Sequence, residues 1–410
     1  MFKFFLIFLT IATLKTQAQN RSLAYYLDSA VQKSPLIADL NNQQLLNTLD
    51  SLQIIAANKY QVNGTGSAIY APIIHGYGYD EAISNGGNYS ALVIVSKPFI
   101  SKQNLGLQFN ALRFISDSIR LNSKLAEADI IRNIATQYIT AYGNQLILHF
   151  NEDITSVLKK EEVLLKKLTE QSVYRQTDYL TFIVTLRQQE VALQQSRIQY
   201  RTDLYTLNYL SGVTDTTFIS LDAPLVDAGQ LINLDSSLFF QQYKIDSQRL
   251  ANERKLIDYR YKPRVGLYSD AGYNSSLMGD YYKHFGVSFG VNFAVPIYDG
   301  KQKKLEYQKL DIQQRTRNSY RDFQRSQYTQ QIAQLKLQLQ DTDSLIQQIN
   351  SQIKYSDGLV EVNRKLMQTG DARITDYVLS LGSFLTAKNQ LTQNIINRMQ
   401  LINQINYYNR

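Results

Sequence analysis

The chain repeats itself in register, so whatever fold it adopts has to be built twice. "VSKPFISKQ" around Pro98 and "FAVPIYDGK" around Pro296 stand 198 positions apart. At the same offset, "KLTEQSVYRQTDYL" from Lys167 matches "KLMQTGDARITDYV" from Lys365. This pairs Arg175 with Arg373, Thr177 with Thr375 and Asp178 with Asp376. Self-similarity at one fixed offset is the mark of an internal duplication. The stretch "LSGVTDTTFISLDAPLVDAG", rich in residues that break helices, separates the halves. It sets a first repeat over 19–215 and a second over 216–410.

Within each half the pattern predicts a helix, two strands, a proline, a very long helix, a tight turn and a second long helix. The first half reads as a helix over 35–59, strands near 61–70 and 89–97, and helices near 99–170 and 177–210. The second reads as a helix over 237–259, strands near 264–273 and 285–295, and helices near 301–369 and 375–408. The strand signal is clearest in "FGVSFGVNFAV": Phe285, Val287, Phe289, Val291, Phe293 and Val295 share one parity, and Gly286, Ser288, Gly290, Asn292 and Ala294 the other. The strand from Gln61 is the weakest, with Gly64 and Gly66 where apolar residues are expected.

From Lys301 to Thr369 there is no proline, and Gly358 is the one glycine. A continuous helix there would run roughly 100 Å. Tyr328, Ile332, Leu335, Leu339, Ile346, Ile349 and Ile353 follow a 4-3 spacing, with Thr342 in the gap. Tyr377, Leu381, Phe384, Leu391, Ile395 and Ile402 do the same after the turn. Such a pair is expected to form an antiparallel coiled-coil hairpin.

A strand of about ten residues is long enough to cross a bilayer when tilted. A water-soluble sandwich strand alternates in the same way, so alternation alone leaves both readings open. Composition bears on the choice: 29 Tyr and 17 Phe beside no Trp, with many tyrosines near the strands, suit membrane interfaces. Four strands cannot close a barrel, and an open sheet edge cannot sit in lipid. If these strands span a membrane, several copies must share one barrel.

The start, Met1-Phe2-Lys3, then an apolar run from Phe4 to Leu14 and small residues at Thr16 and Ala18, reads as a signal peptide over 1–18. With no cysteine there are no disulfides, thiolate metal sites or cysteine-linked lipid anchors. The net charge of +8 is spread along the chain, which fits a solvated helix surface and not nucleic-acid binding. His75, His149 and His284 lie far apart, and no nucleophile elbow or phosphate loop is present. No enzyme activity, metal or cofactor is expected. A soluble periplasmic coiled-coil or adaptor-like protein is the competing non-enzymatic reading.

The duplication, the leader, the strand pairs, the hairpin turns and above all "VPIYDGK" resemble the TolC-like outer-membrane efflux channels over nearly the whole mature chain. This sequence departs from the usual Gly-Gly with Gly300-Lys301, and "KPFISKQN" lacks the Asp-Gly altogether. The resemblance implies a mixed α and β membrane protein. It would be a homotrimer whose four strands per chain make a twelve-stranded barrel in the outer membrane of a Gram-negative bacterium. That barrel would continue into a periplasmic coiled-coil barrel of helices. A periplasmic adaptor would link it to an inner-membrane transporter, for efflux or type I secretion. By the same resemblance, Arg175, Thr177, Asp178, Gly370, Arg373, Thr375 and Asp376 belong to the periplasmic tip and its gate. Helix N-capping is the plainer role for Asp178 and Asp376. Pro98, Pro296, Asp299 and Gly300 form the barrel-to-helix junction, with each proline expected to end the strand's ladder and start the helix. The Phe285–Val295 parity would face lipid.

Overall fold

The computed structural model describes residues 21–80, 83–84, 86–227, 229, 234–276 and 281–410. The expected leader at 1–18 lies outside the described residues, as do parts of the two loops between strands. The helices are α1 (Leu23–Lys33), α2 (Pro35–Ala57), α3 (Lys102–Glu170), α4 (Gln176–Leu210), α5 (Leu238–Arg260), α6 (Gln302–Thr369) and α7 (Ile374–Tyr408). The strands are β1 (Gln61–Tyr70), β2 (Gly87–Phe99), β3 (Arg264–Ser275) and β4 (Phe285–Ala294). No described helix is long and apolar enough to cross a membrane.

The chain folds as two compact units, each drawing on both halves of the sequence. One comprises the residues up to Ile37, Leu125–Asn233 and Ser326–Arg410; the other comprises Ala38–Lys124 and Leu234–Arg325.

The second unit carries an antiparallel sheet in the order β1-β2-β3-β4. Directly opposed residues share a face, so the register sorts every side chain. Val62, Val95, Ser269 and Phe289 fall on one face, and so do Gly64, Val93, Ala271 and Val287. The other face carries Asn63, Ser67, Ser90, Asp270 and Ser288. There the Ser67 and Ser90 hydroxyls are 2.8 Å apart, and Ser288 donates to Asp270 at 2.6 Å. Beside the sheet, Leu250, Ile257 and Leu310 bury a small core with Tyr261 and Tyr307.

In the first unit the 4-3 seam of α6 is buried at Tyr328, Ile332, Leu335, Thr342 and Ile349. In α7 the seam buries Tyr377, Leu381 and Ile402, but Ile396 is buried where Ile395 was expected. Gly143 of α3 makes the room: a Cβ there would stand 2.1 Å from Ile396 Cδ1. Packing against α3 thus buries Ile396, while Ile395 stays half-buried and Ile402 keeps the seam position. A second core gathers Tyr26, Tyr138, Tyr200, Leu204 and Leu207. Tyr138 Oη lies 2.9 Å from the Arg21 carbonyl and 2.7 Å from that of Asp222, so one hydroxyl ties both flanking segments. An Arg21–Asp215 ion pair holds the same segments together.

Candidate functional site

Two regions collect the residues singled out from the sequence: the turns α3–α4 and α6–α7, inside the first unit, and the strand-to-helix junctions, inside the second.

The two turns are built alike. At α3's end Val173 N–H donates to Leu168 O at 2.9 Å and Ser172 N–H to Thr169 O at 2.9 Å. At α6's end Asp371 N–H donates to Leu366 O at 2.8 Å and Gly370 N–H to Met367 O at 3.3 Å. Both are Schellman-type ends, which need a residue in the left-handed region. Gly370 supplies it with φ +84°, whereas Ser172 takes φ +63° against its own Cβ.

The next helices start at Arg175 and Arg373, both extended, and neither side chain caps its helix. Asp178 and Asp376 occupy the first turn without serving as the N-cap, so the capping role is not the one the geometry gives them. Their carboxylates face the positive helix end, a favourable position of modest worth. Arg373 forks onto Asp376 at 3.3 and 3.4 Å, both side chains in contact with solvent. Asn363 of α6 donates to the Asp376 carbonyl at 3.3 Å. Thr177 and Thr375 lie beside these acids in the first turns.

Apart from the seam residues Tyr377 and Leu381, the turns are packed together by residues the sequence pattern did not single out. Leu158, Leu165, Phe182 and Leu186 of the first hairpin bury against Met367, Ile374, Tyr377 and Leu381 of the second. The rings of Phe182 and Tyr377 stack at 6.5 Å. Tyr174 Oη is 2.7 Å from Met367 O and 2.9 Å from Ala372 O, so its proton bridges the two turns. Burial pushes the Tyr174 phenol up, and the carboxylates of Asp371 and Asp178 act in the same direction. Beneath, Glu161 is buried beside Arg364 at 3.5 Å, and Gln368 donates to it at 3.4 Å. Burial, and then the nearby Glu161 carboxylate, push the Tyr377 phenol up to about 12. Tyr174 was visible in "SVYRQTDY", but its counterpart at the repeat offset is Ala372, so self-similarity passed over it.

At the junction the prolines do less than expected. Pro98 does not end the ladder: it pairs with Gly266 inside β2, and Phe99 with Val265 after it. The reason lies in the neighbouring strand. Pairing of β1 with β2 stops at Gln61 and Ser96, so Pro98 has β3 on one side only and needs no N–H on the other. Pro296 follows β4 by two residues, and α6 begins only at Gln302. Val295 likewise lies just past the last strand residue, Ala294.

The helix starts are made by Asp299 and Ser101. Asp299 accepts from Lys301 N–H at 2.9 Å and Lys303 N–H at 2.8 Å. The Lys303 N–H is the main cause of its carboxyl lying below the usual range, helped by the Lys301 N–H and the Tyr261 hydroxyl. Gly300 at φ +64° and Lys301 at φ +71° turn the chain in between. Two consecutive left-handed residues explain why a second glycine suits this place and why Lys301 is strained there. In the first half Ser101 accepts from Asn104 N–H at 3.2 Å, 198 positions before Asp299.

The strand residues Phe285, Val287, Phe289, Val291 and Phe293 are 64–82% exposed, a whole row of large apolar side chains facing outward. Val62, Val93, Val265 and Leu267 extend the exposed face across the sheet. A contiguous exposed apolar patch of this kind is rare on a monomeric soluble protein.

No family model and no characterised protein sequence matches the chain. Solved structures do. A structure of CusC, concerned with folding and transmembrane channel formation, is 11% identical with a TM-score of 0.74, covering 95% of this chain and 92% of that one. The outer membrane protein VceC of Vibrio cholerae is 14% identical with a TM-score of 0.70, covering 94% and 96%. The open state of the MtrE outer membrane channel of Neisseria gonorrhoeae is 11% identical with a TM-score of 0.74, covering 94% and 88%. Across nearly its whole length, the chain has the fold of the TolC-like outer-membrane channels.

Proposed function

We propose that the protein is an outer-membrane channel that exports substrates from the periplasm as the outer duct of a tripartite efflux or type I secretion system. The observation that carries this reading is the sheet. One face of it is predominantly apolar and carries the exposed row from Phe285 to Phe293, and within the chain β1 and β4 each pair on one side only. Hydrocarbon tolerates such a face but not such edges. Three copies joined β1 to β4 satisfy both conditions with a twelve-stranded barrel. The polar face then lines the lumen. A soluble coiled-coil protein would have no use for this sheet.

In this assembly the α3–α4 and α6–α7 turns form the periplasmic tip. They meet an adaptor, and through it an inner-membrane transporter. Asp376, tethered by Arg373, stands at the constriction with Asp178 near it. Acidic groups repeated around one axis favour cations. The tandem duplication of the chain supplies two hairpins per copy.

Recording from the purified chain in planar bilayers tests the reading. Discrete conductances are expected, with cation preference reduced in Asp376→Asn. A chain that does not conduct and is released with the soluble periplasm overturns it. Conduction with unchanged selectivity in the variant removes Asp376 alone from the pore.

A further inference from the structure

Among the strand residues of the apolar face, Lys97 is the one charged side chain. Its row runs from Tyr60, just outside β1, through Lys97 and Leu267 to Val291. The neighbouring row is Val95, Ser269 and Phe289, and its central residue is small. The result is a groove of about 360 Å3, walled by Val95, Leu267 and Phe289, with Tyr60 and Lys97 also lining it. The Lys97 ammonium lies 4.6 Å from the centre of the Tyr60 ring, drawn along the face instead of away from it.

A lysine on a lipid-facing row is costly unless its head meets polar groups at the boundary of the hydrocarbon. Lys97 is placed for that, since it lies near the end of the sheet that leads into α3 and α6. The same end gathers further cations: Lys59, Lys262, Lys301 and Lys304 are all exposed. Nearby acids are already engaged, with Asp299 accepting from the start of α6, Asp258 paired with Lys303 and Glu306 with Arg260. The field at this end is therefore positive, directly beside an apolar furrow of acyl-chain character.

From this juxtaposition we infer a lipid site, resting on the channel reading above. A glycerophospholipid lays one acyl chain in the groove and sets its headgroup phosphate against the Lys97 ammonium, with the Tyr60 ring beneath. Chain and phosphate are recognised together. A free phosphate lacks the apolar contact, and a neutral diacylglycerol lacks the charge.

The test uses the full-length, delipidated protein in neutral detergent, with lipid retention read by native mass spectrometry. Phosphatidylglycerol is expected to bind about fivefold more tightly than diacylglycerol with the same chains, the worth of one lysine near a headgroup. Lys97→Gln should bring phosphatidylglycerol down to the diacylglycerol level, Lys97→Arg should keep the preference, and Lys336→Gln, on an exposed stretch of α6, should change nothing. Equal retention of the two lipids, an unaffected Lys97→Gln, or displacement by inorganic phosphate alone overturns the site. Liposome insertion is scored separately. A chain that inserts and conducts but ignores the headgroup defeats this inference alone, whereas one that never inserts defeats the channel reading and this inference with it.

Discussion

Tyr174 and Glu161 show how much of the packing between the two turns rests on single side chains. Tyr174 gives one hydroxyl to two carbonyls across the turns. Tyr174→Phe keeps the ring and removes that bond, and should cost about 1 kcal/mol in chemical denaturation. Glu161 is a different case, because its charge is already buried and depends on Arg364 and Gln368. Arg364→Ala should therefore cost more, about 3 kcal/mol, since the carboxylate is left without its cation. Equal losses for the two variants would show that Glu161 has found water or another partner. Neither residue was legible beforehand. A buried polar contact whose two partners differ in residue type leaves no periodic trace in the sequence.

At the scale of elements, α3 and α6 begin by different chemistry, and this separates their response to acid. The start of α6 depends on the Asp299 carboxylate, held below its usual range by the Lys303 N–H. A depressed carboxyl stabilises the fold above its unfolded pKa, and that contribution is lost as the pH falls through the folded value. Amide protection in the first turn of α6, corrected for intrinsic exchange, should hold from pH 7 to 5 and fall below about pH 4. The first turn of α3, where Ser101 accepts, should show no such step. A parallel loss at both starts would indicate general unfolding instead. Strands and long helices were readable because their periods are strong and tertiary packing agrees with them. The burial of Ile396 was not, because Gly143 acts from another helix. The place of Pro98 was missed because strand propensity says nothing of where the neighbouring strand stops.

For the whole molecule, closure is the decisive issue. Within one chain β1 and β4 are three strand spacings apart, about 14 Å, too far for a short bridge. The absence of native cysteine makes a clean probe possible. Thr65→Cys in β1 with Ser288→Cys in β4, joined by a short bis-maleimide, should give a ladder on denaturing gels that ends at three chains. A ladder ending at two, or one that continues, removes the shared barrel of three. The fold neighbours share this chain's shape at only 10–14% identity. The alternation, the hairpin turns and the Asp-Gly after Pro296 carried that shape in the sequence even so.

The tie at the turns is lopsided. Tyr174 of the first turn supplies the donor, while Ala372 of the second supplies only a main-chain oxygen. Side-chain mutation can erase the donor but never that oxygen. Inheritance therefore has a handle on this latch in one half of the gene alone. On the second turn the latch constrains no side chain at position 372, and three copies would hold three such latches, never six.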